Sequence, residues 1–409
     1  MSEPIVIVGG GHAAAQLCAS LAEAGLGARV HLVCEERRLP YHRPPLSKGF
    51  LKHPEDEPQP LRPDAWYADS GITLHLGDAA VSIDRGRRTL RLASGAELGY
   101  GQLVLATGTR ARRPLHLADG LANVMVLRSA DDAVQLRERL AAAPRLTVLG
   151  GGFIGLEIAA TARAMGKEVV VIESAPRLMM RAVSPEVSQH VLQTHRAAGI
   201  EVRLGASAGH FEVDGDRLAA LDVSGTRTPV ELLVLGIGAA PEHALATAAG
   251  LECDNGIVVD AFMRTSDPAI LAIGDCASFP QAASGRRMRL EAVQNALDQA
   301  RTAAATLAGQ PRLHDALPWF WSEQGSLRLQ MAGLVPAPDA PGVELHRRPG
   351  ASDASFSLLH YAGGRLVCVE SVNAPLDHMP LRKLLEAGRS LSPAEACDTA
   401  VPLKKYLAG

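Results

Sequence analysis

One local design occurs twice in this chain, and that repeat constrains the fold more than any other feature. Residues 5–8 (Ile-Val-Ile-Val) form an apolar run that stops at Gly9-Gly10-Gly11. An Ala-rich helical stretch follows to about Ala24, and a second strand over about 29–33 ends at Glu35. Further on, 146–149 is an apolar run, Gly150-Gly151-Gly152 a turn and Phe153 to Met165 a helical stretch, and Glu168 to Ile172 is a strand ending at Glu173. Both copies read as β-α-β units of a nucleotide-binding domain.

The glycines explain the chemistry. In Gly9-x-Gly11-x-x-Ala14 and Gly150-x-Gly152-x-x-Gly155, the first glycine permits a tight turn and the second lets backbone approach a pyrophosphate. The third small residue lets helix and strand pack closely, and the helix N-terminus offers free N–H groups to the phosphates. Glu35 and Glu173 follow about twenty residues on, where a carboxylate accepts hydrogen bonds from a ribose hydroxyl. An acid at Glu173 favours NADH because it would repel a 2′-phosphate. Arg177, nearby, is the residue that could receive one. Two such sites in one chain imply two dinucleotides: FAD to hold electrons and a nicotinamide to deliver a hydride.

Three more apolar strands end in glycine turns. Gln102 onward ends in Ala106-Thr107-Gly108, 232–235 ends in Gly236-Ile237-Gly238, and 270–273 is followed by Gly274-Asp275. The Pro/Ala stretch 336–341 reads as a loop, and alternation around 356–360 and 366–371 predicts strands of a separate C-terminal module. A chain of 409 residues is too long for one core, so two or three domains are expected. A net charge of −3 gives no nucleic-acid footprint, and no apolar run approaches the length of a membrane span. No basic segment precedes the first strand, so a signal peptide is not expected. The six cysteines, Cys18, Cys34, Cys253, Cys276, Cys368 and Cys397, form no close pair, which argues against a metal site and a disulfide framework. Cys18 and Cys34 read as packed thiols, and a reduced, cytoplasmic setting is expected.

Other segments carry a family resemblance. Tyr41-His42-Arg43-Pro44-Pro45-Leu46-Ser47-Lys48 and Pro318-Trp319-Phe320-Trp321-Ser322 are its most specific motifs. Leu127-Arg128, Gly150 to Glu157, Ala272 to Asp275 and Glu291 to Ala296 follow in register. Over nearly its whole length the chain resembles the FAD-dependent ferredoxin reductases of oxygenase systems. The resemblance implies an α/β fold with two Rossmann-like dinucleotide-binding domains, as in glutathione reductase, plus a C-terminal α+β domain. The FAD domain would be 1–110 and 237–314, the NAD domain 111–236 and the C-terminal domain 315–409.

The resemblance also implies an activity: FAD takes a hydride from NADH and passes single electrons to a [2Fe–2S] ferredoxin serving a cytochrome P450 or Rieske oxygenase. No side chain is named as catalytic acid or base, because a hydride step needs none. By resemblance Ala13 and Glu35 meet the AMP half of FAD, Val81 the adenine, and Asp275 the ribityl chain. Arg43, Pro44 and Lys48 lie near the pyrophosphate and flavin, Arg128 on the flavin side, and Val293, after Glu291 and Ala292, at the flavin ring. Phe153 gates the flavin face, Ile154 stands beside it, and Glu157 approaches the nicotinamide carboxamide. Trp319 and Trp321 lie near the flavin edge where the ferredoxin docks.

Taken by themselves, these residues leave alternatives open. Val81 and Val293 could be core, Lys48 a solvated charge, Phe153 a packing residue, and one or both tryptophans core of the C-terminal module. The ferredoxin would dock transiently on basic groups, with Arg286, Arg287, Arg289 and Arg301 or Arg382, Lys383, Lys404 and Lys405 as candidates. The competing readings are an NADH oxidase, a monodehydroascorbate or rubredoxin reductase of the same fold, and an apoptosis-inducing-factor-like NADH-sensing flavoprotein.

Overall fold

Ile5–Val8 is buried along its whole length, as a strand covered on both faces must be. It is the centre of a five-stranded parallel sheet ordered Ile270–Ala272, Gln102–Leu105, Ile5–Val8, Val30–Cys34, Thr73–Leu76. This computed structural model describes residues 3–281, 284–337 and 340–407. The sheet belongs to a compact unit made of residues up to His42, Pro58–Arg110 and Ala239–Ala316. Helices His12–Glu23 and Val293–Leu307 pack against each other in that unit, and an antiparallel meander, Ala80–Asp84, Thr89–Leu92 and Glu97–Gly99, adds a small second sheet.

A second compact unit gathers Arg43–Glu57, Ala111–Gly238 and the chain from Leu317 onward. Its parallel sheet has the same plan: Val124–Met125, Leu232–Leu235, Arg145–Leu149, Glu168–Glu173, Glu201–Leu204. In both sheets the strand entering the glycine turn is central, flanked by the strand that ends at the acid and by a strand returning from later in the chain. An antiparallel meander of Ala208–Asp214, Arg217–Val223 and Thr226–Pro229 accompanies it.

The C-terminal part is a five-stranded antiparallel sheet ordered Trp319–Gln324, Leu327–Gly333, Arg365–Val372, Phe356–Ala362, Val343–Pro349, with helix Pro375–Glu386 laid on it. The strands expected around 356–360 and 366–371 are two of its buried members. The expected loop at 336–341 is described except for residues 338 and 339, which lie outside the described residues. Among the described residues no helix is long and apolar enough to cross a membrane.

His378 in that helix is fully buried, and burial, with Arg382 and Arg328 nearby, lowers its pKa from 6.5 to about 4. The unfolded chain takes up this proton near pH 6.5 and the folded chain does not. Stability is therefore lost as pH falls from about 6.5 towards 4, by on the order of 3 kcal/mol at the lower end. His378→Gln should flatten that loss, measured as the urea midpoint at pH 7 and pH 4.5. An unchanged pH dependence would show that other groups govern it.

Candidate functional site

Each glycine turn leans on the end of the neighbouring strand. Gly9 has φ +128° and an added Cβ would run into the Ala106 carbonyl; Gly150 has φ +111° and would meet the Gly236 carbonyl in the same way. Only glycine fits either place without moving backbone. Gly155 has no room for a side chain against the Gly150 carbonyl and Val148, which is why helix and strand can approach there. A Cβ on Gly11 would meet nothing within 4 Å, and one on Gly152 only the Gly236 oxygen at 3.9 Å. Open space thus lies over both turns.

The helix starts point to the same use. Ser129, Ser184 and Ser392 cap their helices with side-chain oxygens. Helices His12–Glu23 and Phe153–Ala164 begin instead at Gly11 and Gly152, which have no side chain with which to cap them. Helix starts of this kind suit a pyrophosphate. In the first unit Gln299, fully buried, accepts the Gly274 N–H at 2.7 Å, and its Nε2 has no hydrogen-bond partner among the described residues. That is a free donor beside Asp275. Both cradles therefore fit a dinucleotide.

The acids differ. Glu35 is exposed at the end of its strand. Glu173 turns back on its own cradle, accepting the Gly151 N–H at 2.6 Å and the Ala175 N–H at 2.7 Å. Arg177 donates to the carbonyls of Val183 and Met180, both at 2.8 Å, so its guanidinium is held in its own turn.

Glu157, one turn into the second cradle's helix, is 3 % exposed. An isolated carboxylate there would be costly, and three donors answer it. Its Oε2 accepts from Ser47 Oγ at 2.5 Å and from Lys48 Nζ at 2.7 Å; its Oε1 accepts from Ser322 Oγ at 2.7 Å. Lys48 also donates to the Pro44 carbonyl. Beside this group Phe153 packs on Phe320 with ring centroids 4.5 Å apart.

Residues 3–300 match the pyridine nucleotide-disulphide oxidoreductase family, and residues 319–407 match the reductase C-terminal family. Rhodocoxin reductase of Rhodococcus erythropolis is 41% identical, over 99% of this chain and 94% of that one. The chain belongs to the pyridine nucleotide-disulphide oxidoreductase family. Putidaredoxin reductase of Pseudomonas putida is 39% identical over 100% of this chain and 97% of its own length. That reductase in covalent complex with putidaredoxin superposes with a TM-score of 0.91 at 38% identity, covering 100% of this chain and 98% of that chain. A ferredoxin reductase from Rhodopseudomonas palustris gives a TM-score of 0.94 at 43% identity over the whole of both chains. As a member of this family the chain is an FAD-dependent oxidoreductase that also uses NAD(H).

Unlike the disulphide-relay members of that family, this chain has only free cysteines. Cys18 and Cys34 are buried, as packed thiols are, and burial, with Cys34 beside it, pushes the Cys18 thiol far up.

The remaining expected residues fall as follows. The first unit holds Gly9, Gly11, Ala13, Ala14, Glu35, Val81, Ala106, Thr107, Gly108, Gly274, Asp275, Glu291, Ala292 and Val293. Val81 is 45 % exposed on the meander, so the core alternative for it fails. Val293 is half-buried at the start of its helix. The second unit holds Arg43, Pro44, Lys48, Arg128, the Gly150–Glu157 segment, Glu173, Gly236, Ile237, Gly238, Trp319 and Trp321. Arg43 donates to the Arg128 carbonyl at 2.7 Å. Lys48 is not a solvated charge, because its ammonium is paired with Glu157.

Neither tryptophan is core. Trp319 and Trp321 are half-buried, 5.5 Å apart, and Arg382 lies 4.3 Å over the Trp319 ring. The candidate arginine patch is partly internal. Arg289 donates to the Asp275 carbonyl and pairs with Glu291, Arg287 donates to the carbonyls of Val259 and Ser278, and Arg301 pairs with Asp298. Sequence reasoning missed Ser47, Ser322, Gln324 and His195. Ser47 and Ser322 stand inside the two motifs that carried the resemblance, which was the available signal.

Proposed function

We propose that this chain oxidises NADH, in preference to NADPH, and reduces a small [2Fe–2S] ferredoxin that feeds a monooxygenase or dioxygenase. What carries the reading is two glycine cradles in one chain whose helices start at uncapped glycines, together with cysteines that are all free, Cys18 and Cys34 among them being buried. Bound FAD supplies the redox chemistry, accepting two electrons as a hydride and releasing them singly. The chain's own part is to bind and orient. The Gly9–Ala14 cradle holds the pyrophosphate of FAD and the Gly150–Gly155 cradle that of NADH. The clamped Glu157 carboxylate, fixed at both oxygens, orients the nicotinamide carboxamide.

The preference for NADH is supported by the position of Glu173, which places a carboxylate at the cradle, and by Arg177, two of whose N–H groups donate to the carbonyls of Val183 and Met180. We assign 1–110 and 237–314 to FAD, 111–236 to NADH and 315–409 to a C-terminal domain, and place the protein in the cytoplasm, where free thiols persist. The covalent complex of putidaredoxin reductase with putidaredoxin, and relatives named as ferredoxin reductases, support the choice of a ferredoxin partner. Anaerobic titration tests the reading. One equivalent of NADH should bleach the flavin absorbance, NADPH should do so far more slowly, and added oxidised [2Fe–2S] ferredoxin should restore it. Failure of NADH to bleach it would overturn the proposal.

A further inference from the structure

The strand Trp319–Gln324 alternates its side chains. Trp319 and Trp321 stack on one side, while Phe320, Ser322 and Gln324 reach Phe153, Glu157 and His195. Those last three partners belong to elements around the second cradle. His195 Nε2 is 2.9 Å from Gln324 Oε1. An amide oxygen only accepts, so His195 donates there. Gln324 Nε2 donates to Ser322 Oγ at 3.1 Å, and the Ser322 hydroxyl donates to Glu157 Oε1 at 2.7 Å. The chain of bonds therefore runs one way, from His195 to the carboxylate. Burial lowers the His195 pKa, while its hydrogen bond to Gln324 acts to raise it.

Gln324 has a second contact. Its Nε2 lies 3.7 Å from the Met179 sulfur. Met179 sits at φ +48°, an uncommon conformation for this residue type, and its N–H donates to the Gly151 carbonyl at 2.9 Å. One buried amide thus braces both ends of the same site: the carboxylate through Ser322 and the glycine turn through Met179.

We propose that Ser322 and Gln324 are positioning residues for the nicotinamide nucleotide, through which the first strand of the C-terminal sheet sets the orientation of Glu157. The proposal rests on reading the second cradle as the NADH site. Ser47 and Lys48 hold Oε2, so without Ser322 the Oε1 end loses its donor and the carboxylate can rotate. A brace that served stability alone would affect every reaction of the protein equally, whereas a positioning role affects hydride acceptance.

Stopped-flow on the full FAD-loaded chain separates these. Ser322→Ala should slow anaerobic reduction by NADH about tenfold, as expected for one lost hydrogen bond to a charged group. It should also weaken NAD⁺ binding in calorimetry. The rate at which dithionite-reduced protein is reoxidised by a [2Fe–2S] ferredoxin should stay within about twofold, since no electron leaves through this bond. Ser322→Thr, which keeps the hydroxyl, should recover the NADH rate, and Gln324→Leu should show the same split as Ser322→Ala. Unchanged NADH reduction in both Ser322→Ala and Gln324→Leu, or equal losses in both half-reactions, would overturn the proposal. If wild-type protein were itself not reduced by NADH, the functional reading would fall, and the proposal with it.

Discussion

Gly11→Val should yield a folded protein that no longer retains FAD. At Gly11 the backbone has φ −97° and ψ −173°, which any residue adopts, and nothing lies within 4 Å of an added Cβ. The fold therefore loses only what a poor helix cap costs, about 1 kcal/mol at most for replacing glycine by valine. The branched side chain, however, stands at the helix start, over the N–H groups to which the pyrophosphate must come close. Gly9→Ala is the contrasting case. Its Cβ meets the Ala106 carbonyl, so the first unit itself is disrupted. Flavin absorbance per chain and the melting curve separate the two. Gly11→Val should melt within a few degrees of wild-type apoprotein and purify colourless. A yellow Gly11→Val protein with full flavin content would show that this turn is not where the pyrophosphate lies. Gly152→Val is the parallel experiment in the second unit: a yellow protein with weak NADH binding.

Lys48→Met is expected to destabilise the second unit by about 3 kcal/mol, because it leaves Glu157 buried and charged without its cation. The side chains of Lys48 and Glu157 are 21% and 4% exposed, so solvent screens the pair little. Removing both partners should cost less than removing one, since an apolar pair leaves no stranded charge. Urea unfolding of Lys48→Met, Glu157→Leu and the double variant therefore tests the pair by a double-mutant cycle. Additive losses would mean that Ser47 and Ser322 alone satisfy the carboxylate. Restored stability in the double variant without restored NADH reduction would separate the structural role of the pair from its role at the nicotinamide.

The β-α-β units were legible because their strands are buried on both faces and so read as unbroken apolar runs. The strand expected at 146–149 begins one residue earlier, and 232–235 falls where it was read. The meanders over 80–99 and 208–229 left little trace, since their outer strands are largely exposed and only the middle strand of each, Thr89–Leu92 and Arg217–Val223, turns a buried face to the core. Lys48 was legible as a motif residue, but its partner was not. Lys48 and Glu157 are 109 positions apart, and Ser322 and Glu157 are 165 apart. Nothing local requires such pairings. The same limit applies to Gln324 and His195, polar residues that composition alone would place at the surface and that are each 2 % exposed. The motif that contains Ser322 marked the segment. Only the fold shows that its serine and glutamine, as well as its tryptophans, carry contacts of consequence.

The most direct test of the account is NADH-driven cytochrome c reduction by the purified FAD-loaded protein, with and without an added [2Fe–2S] ferredoxin. The account predicts a slow rate without ferredoxin, a saturable rise with it, and a much weaker response when NADPH replaces NADH. Rapid NADH consumption that ignores ferredoxin and is matched by oxygen uptake would contradict it and identify an oxidase.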